Sequence, residues 1–183
     1  MMTTTGHAEI DQQHELLDHM VEQLADFCSE AEKVAEPACS HCPALKSRHC
    51  SNTLAAITSE LMAFLQGHAV YEEKMMDLLP ATPSCQAHIK AHKAAHEGIS
   101  RQLQKLTLRI PTLPPLGLSA EIMQVAGGWL SDHSALFDSR LVHLGKADVP
   151  KVDLDGELVT MLDQHVFPNR PTRGRLGERA RLA

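Results

Sequence analysis

The stretch HAVYE, from His68 to Glu72, decides the fold because it places two polar side chains within an apolar helical stripe. The stripe runs from about Ser51 to Leu79 and repeats its apolar residues with the 3.6-residue period of an α-helix. Residues four apart on a helix point the same way, so His68 and Glu72 face the predicted core together. A buried imidazole or carboxylate without a partner is costly. The stretch therefore predicts a buried polar site inside a helical protein.

Three further segments carry the helical period, and they run from about Glu9 to Val34, from Ser84 to Leu108 and from Ser119 to Leu144. Proline-containing links separate the second, third and fourth segments, and short links favour antiparallel neighbours. We therefore predict an all-α fold, an up-down-up-down antiparallel four-helix bundle. A Cys-rich loop would join helices one and two. The predicted bundle domain covers residues 1–148, and a C-terminal extension over 149–183 would hold a short helix and a mobile basic tail.

Local signals refine two of these helices. Ser51 or Asn52 is a candidate cap for the second helix, and Ser119 for the fourth. The predicted inward side of the fourth helix consists of Ile122, Val125, Trp129, His133, Leu136 and Phe137.

Composition limits the class of protein. The chain has 183 residues, 43% of them hydrophobic and only 3% aromatic, which favours a core of aliphatic side chains on helices. A net charge of −6 argues against general nucleic-acid binding. We recognise neither an apolar run of membrane-spanning length nor a secretory signal. We expect a cytoplasmic protein that binds neither nucleic acid nor membrane.

Three more short phrases place polar side chains in the stripes: IDQQH, HKAAH and HSALFD. Any single buried histidine is more simply explained by hydrogen bonding within the core. Five imidazoles and two carboxylates at one level would be unstable without metal, and with metal each group has a partner. The predicted ligands are His14, His68, Glu72, His92, His96, His133 and Asp138.

The donor set narrows the metal and its chemistry. Imidazole nitrogen with carboxylate oxygen suits iron, manganese or zinc, and two carboxylates from different helices can bridge two ions. The Glu-x-x-His pair of ferritin-like di-iron proteins is absent from this sequence. A histidine-rich site donates less negative charge than a carboxylate-rich one. It therefore favours reversible binding of dioxygen over oxygenase chemistry.

Two spacings leave questions open. His133 and Asp138 are five residues apart, which separates them by about 140° on a regular α-helix. If both bind one cluster, a single π-type turn should lie between them. On the third helix, His88, His92 and His96 recur every four residues, so periodicity alone permits either His88 or His96 as the second ligand.

The four phrases, in order, closely resemble the hemerythrin family, including its bacterial members, over about Ile10 to Leu144. The resemblance implies a four-helix bundle with two non-haem iron ions. His92, His96 and His133 would hold one iron, His14 and His68 the other, and Glu72 and Asp138 would bridge them beside an oxo or hydroxo group. The family's pattern around HKAAH selects His96 and leaves His88 partly exposed. Ser134 departs from the family, which often has a large aliphatic residue there.

Four cysteines cluster around the first interhelical link: Cys28, Cys39, Cys42 and Cys50. The C-x-x-C phrase from Cys39 to Cys42 can bind zinc or cycle between thiols and a disulfide. Three interpretations stay open, namely a redox-active thiol pair, a structural zinc site and thiols without a role.

The sequence thus favours a di-iron protein that binds dioxygen for storage, delivery or sensing, rather than an enzyme. A sensor would need a signalling partner. One alternative is a di-iron enzyme that handles peroxide, nitric oxide or iron oxidation, and another is a metal-free helical interaction module.

Overall fold

A computed structural model describes residues 4–25, 39 and 42–146, and the regular secondary structure of these residues is helical. The helices are α1 (Ala8–Ala25), α2 (Ala44–Met76), α3 (Pro83–Thr107), α4 (Pro115–His133) and α5 (Ser139–Gly145). One π-helical turn, Ser134–Asp138, joins α4 to α5, so the three form a continuous fourth helical stretch. These ranges contain no strand. The predicted all-α fold with four long helices is confirmed, and the up-and-down order of the helices stays a prediction.

The four helices surround a large apolar core, and a smaller apolar cluster of Met76, Leu79, Cys85 and Leu141 lies apart from it. α1 packs against α2 and α4, and α3 packs against the same two helices. The fully buried aliphatic and aromatic side chains include Ile10, Leu17, Leu24, Leu54, Leu61, Phe64, Leu103, Leu118, Ile122 and Leu130. Burial of each such side chain contributes roughly 1.5–3 kcal/mol before entropy is subtracted. This apolar packing therefore holds the helices in place around the buried polar side chains.

Two helices begin earlier than their cap signals predict. α2 begins at Ala44, directly after Pro43, so neither Ser51 nor Asn52 caps it. α4 begins at Pro115, because proline is favoured in the first turn of a helix, where its missing N–H leaves no hydrogen bond unmade. Ser119 lies inside that helix, and its hydroxyl donates to the Leu116 carbonyl (2.8 Å).

The prediction that Leu136 points inward is wrong, since 64% of its surface is exposed. The π-helical turn explains the error. In this turn each backbone hydrogen bond spans one residue more than in an α-helix. Each residue after His133 therefore advances the rotation around the helix axis by less than it would in an α-helix, and Leu136 no longer points inward. Phe137 is half-buried.

Several predictions fall outside the described residues. They are the extension of the first helix to Val34, the position of Cys28, and the short helix and basic tail of the C-terminal extension. Within the described part of the chain, no helix combines the length and the apolar character needed to cross a membrane.

Candidate metal centre

The four phrases bring all seven predicted ligands to one buried place. α1 supplies His14, α2 supplies His68 and Glu72, α3 supplies His92 and His96, and the fourth helical stretch supplies His133 and Asp138. None of these residues exposes more than 5% of its surface. Their candidate ligand atoms form three groups, each within 4.8 Å, and the groups share Glu72, His68, His133 and Asp138. The polar side chains therefore make one cluster and not several separate sites.

Asp138 contacts imidazoles on two sides. Its Oδ2 lies 2.9 Å from His14 Nε2, and its Oδ1 lies 3.0 Å from His133 Nε2 and 3.2 Å from His92 Nε2. The two oxygens of one carboxylate thus face different histidines. That placement is what a carboxylate needs in order to bridge two ions.

The predicted π-type turn is confirmed between His133 and Asp138. Both side chains are fully buried, while Ala135 and Leu136 between them are exposed. A residue five positions further on would lie about 140° away on a regular α-helix, and the wider turn removes that offset. The Ser139 hydroxyl donates to the Ser134 carbonyl (2.9 Å), which satisfies a backbone oxygen in the turn.

The imidazole nitrogens converge at distances that fit a metal. His92 Nε2 and His133 Nε2 are 2.8 Å apart, and His96 Nε2 and His133 Nε2 are 3.1 Å apart. Two nitrogens at right angles on one ion, each about 2.1 Å from it, would be about 3 Å apart. Glu72 Oε2 lies 3.0–3.3 Å from the Nε2 atoms of His68, His92 and His96. The spacing of these nitrogen and oxygen atoms therefore fits the binding of a metal ion.

Unpartnered atoms support the same conclusion. Buried atoms without a hydrogen-bond partner include Nε2 of His14 and His68, Oε1 of Glu72 and both oxygens of Asp138. Buried polar atoms are nearly always hydrogen-bonded in native proteins, because an unmade bond costs about 1–3 kcal/mol. A cluster of such atoms at one point is the arrangement expected of ligands.

The pKa values of the buried carboxylates and histidines indicate that the cluster favours a positive charge at its centre. Burial works against the ionised form of both carboxylates, but the surrounding imidazoles outweigh it, holding the pKa of Glu72 well below its usual value and that of Asp138 at about 2. Burial also lowers the pKa of His92, but the two carboxylates beside its Nε2 prevail and raise it to about 9. The pKa of His133 is raised for the same reason. Without metal, protons therefore occupy the place of a cation.

Comparison with known families agrees with this geometry. The model of the hemerythrin HHE cation-binding domain matches residues 5–143. This chain belongs to the hemerythrin HHE cation-binding domain family. No curated protein and no solved structure matches the chain significantly. Family membership and the buried His/Glu/Asp cluster together identify a metal-binding helical domain.

One residue of this hemerythrin domain was not predicted from the sequence. Gln13 is 2% exposed, and its Oε1 accepts a hydrogen bond from His68 Nδ1 (2.8 Å). The amide nitrogen in turn donates to Glu9 Oε1 (3.2 Å). Because Nδ1 of His68 carries the proton, Nε2 is left with its lone pair facing the cluster. The signal was present in IDQQH as a polar residue beside a predicted ligand.

We expect the Gln13→Leu variant to bind metal 10–100-fold more weakly, because His68 loses the acceptor that orients its ring. Competition with a chelator of known affinity measures the change. The matched control is Gln12→Leu, since Gln12 is the exposed neighbour on the same helix. Equal metal retention in both variants would show that Gln13 does not position His68.

His96 and His133 have different neighbours outside the set of candidate ligands. Glu73 Oε1 lies 3.8 Å from His96 Nδ1, and Glu73 Oε2 pairs with Lys93 Nζ (2.9 Å). Trp129, which was predicted to lie on the inward side of the fourth helix, stacks on His133, with ring centroids 4.1 Å apart. The stacked Trp129 restricts the orientation of the His133 ring.

His88 is more buried in the structure than the sequence led us to expect. The expectation that it would be partly exposed is wrong, because only 5% of its surface is accessible. Its ring lies against His92 and near Phe137, with centroids 5.3 and 6.2 Å away. His88 belongs to none of the three groups of candidate ligands, whereas His96 does. The geometry therefore favours His96 at the cluster, as the family pattern did.

The four cysteines that the structure describes lie outside the cluster. Cys39, Cys42 and Cys50 are half-buried near the start of α2, and Cys85 is buried near the start of α3. Within the described ranges, no cysteine joins a group of three candidate metal ligands.

Proposed function

We propose that this chain holds a non-haem di-iron centre and binds dioxygen reversibly, for storage, delivery or sensing. The main support is the single buried cluster of five imidazoles and two carboxylates, whose ligand atoms converge while many lack any other partner. Imidazole nitrogen with carboxylate oxygen is compatible with iron, and the hemerythrin resemblance favours iron over manganese or zinc. With only two carboxylates, the centre carries little anionic donation, which favours reversible binding over oxygenase chemistry.

Each ligand has a proposed role. His92, His96 and His133 would hold one iron, His14 and His68 the other, with Glu72 and Asp138 bridging. The position of Asp138 supports this division, since its two oxygens face His14 on one side and His92 with His133 on the other. When bound, the irons supply the reversible two-electron redox chemistry that dioxygen binding requires. The short links between the later helices support an up-and-down bundle around this centre.

The unequal number of histidines defines where a diatomic ligand would bind. The side held by His14 and His68 has one histidine fewer, so it offers the free position. Gln13 orients His68 there, and Ser134 Oγ lies 3.4 Å from His14 Nδ1. Burial of these residues excludes bulk water, which would otherwise promote oxidation.

An optical spectrum combined with metal analysis tests the proposal. We expect about two irons per chain and a charge-transfer band in the near ultraviolet that shifts when azide is added. We also expect the oxygenated spectrum to revert when dioxygen is removed. Zinc or manganese in place of iron, or a spectrum that azide leaves unchanged, would contradict a di-iron dioxygen site.

A second candidate function is a di-iron enzyme acting on peroxide, nitric oxide or ferrous iron. The observation that favours it is Ser134, which is fully buried beside His14 and carries a hydroxyl at a position where the family often has an aliphatic side chain. A hydroxyl can hold water and pass protons. Sustained turnover by the iron-loaded protein would support the enzyme, and reversible binding without turnover would support the carrier.

The cellular setting is also proposed. Net charge and composition support a cytoplasmic protein. We place the functional domain at residues 1–148 and regard 149–183 as an extension. A sensing role would require a signalling protein as partner.

A further inference from the structure

One backbone hydrogen bond joins Cys39 and Cys42, just before the start of α2. The Cys42 N–H donates to the Cys39 carbonyl (3.1 Å). A bond of this kind between residues three apart holds their Cα atoms within about 7 Å. A disulfide needs Cα atoms roughly 4.4–6.8 Å apart. The backbone around Cys39 and Cys42 therefore suits a disulfide between them.

Accessibility separates this pair from Cys85. Cys39 and Cys42 are both half-buried thiols, whereas Cys85 is 5% exposed and packs among Met76, Leu79 and Leu141. Thiols react with oxidants when they are accessible and able to ionise, and thiols packed in apolar surroundings are inert. The first turn of α2 carries no acidic side chain, so that turn does not repel a thiolate.

The pair is remote from the metal centre. α2 is one uninterrupted helix from Ala44 to Met76, and His68 lies 24 residues beyond its first residue (68 − 44). At 1.5 Å per residue, the start of α2 is about 36 Å from His68. Electrons are not expected to pass directly over such a distance, so an oxidant must reach the thiols from solvent. This pair can then act independently of the state of the iron.

We propose that Cys39 and Cys42 are a reversible, peroxide-oxidised disulfide site, separate from the metal centre. One thiolate attacks hydrogen peroxide, which forms a sulfenic acid and releases hydroxide. The second thiolate attacks the sulfenic sulfur, forms the S–S bond and releases another hydroxide. Two thiols and one peroxide thus become one disulfide and two waters, and an external thiol reverses the reaction. A zinc site would need further ligands, and among the described residues no cysteine belongs to a group of three.

The test treats the reduced full-length chain with one equivalent of hydrogen peroxide, in iron-loaded and metal-free samples. Thiols are then alkylated and located by peptide mass. We expect the five cysteines to fall to three alkylatable thiols, with Cys39 and Cys42 protected and a mass loss of two hydrogens. Dithiothreitol should restore all five. The protection should be the same in both samples.

Three Cys→Ser variants test whether the protection from alkylation depends on Cys39 and Cys42. Cys39→Ser and Cys42→Ser should each abolish the protection, while Cys50→Ser, at a half-buried position in the same region, should leave it intact. Loss of protection in Cys50→Ser, or zinc that the thiols hold until it is chelated, would overturn the proposal. Iron content and the near-ultraviolet band are measured on the same samples. Failure of the di-iron proposal is therefore recognised separately from failure of the thiol pair.

Discussion

The Glu72→Ala variant should lose nearly all of its iron and the associated charge-transfer band. Glu72 is fully buried, and its Oε2 faces four imidazoles at 3.0–3.5 Å. Its removal takes away one of the two negative charges that balance the ions, and the remaining histidines cannot replace it. Metal analysis and the optical spectrum measure the loss. His68→Ala should have the same effect.

Controls distinguish loss of a ligand from loss of the fold. Glu72→Gln preserves the shape of the side chain but not its charge, and it should also lose iron. Glu60→Ala changes an exposed glutamate on the same helix and should keep iron at the wild-type level. Circular dichroism should report full helix content in all variants. Unchanged iron content in both Glu72→Ala and His68→Ala would refute the ligand assignment.

Metal removal should lower the melting temperature by an amount on the order of 10 °C. A ligand present at a thousand times its dissociation constant stabilises the folded state by about 4 kcal/mol. For a domain of this size, each kcal/mol shifts the melting temperature by roughly 2–4 °C. The chelated protein also keeps its unpartnered nitrogens and oxygens in the core. Anaerobic thermal melts with ferrous iron and with chelator measure the difference.

The Glu72→Ala variant supplies the control for this melt, because it should melt at one temperature with or without iron. Equal melting temperatures for the loaded and chelated wild-type protein would have a different meaning. They would favour the alternative of a metal-free helical interaction module.

The sequence predicts the cluster well because each phrase holds its ligands on one helix. Spacings of four place His68 with Glu72 and His92 with His96 by helix geometry alone. The π-type turn was also predictable, since two inward-facing residues five apart cannot both face the core on a regular α-helix. These features depend only on local backbone geometry.

Features that depend on contacts between helices were missed. The burial of His88 depends on neighbours such as Phe137, which another helical stretch contributes. The hydrogen bond from His68 to Gln13 joins α2 to α1, and no periodicity in either helix reveals it. The start of α2 at Ala44 was missed because Ser51 and Asn52 looked like caps, although Pro43 already precedes a stretch able to form helix.

The π-helical turn also preserves the register of the fourth helical stretch. Five residues in the wide turn cover about the same angle as four residues in an α-helix. Deleting one residue between His133 and Asp138 would therefore leave these two four apart on an ordinary α-helix, and Leu141 and Val142, which are buried on α5, would still face the core. An ordinary α-helix that kept all five residues would instead rotate Asp138 and α5 by about 100°. The wide turn thus confines the additional residue to one place, so that the carboxylate meets the histidines and α5 still packs onto the bundle.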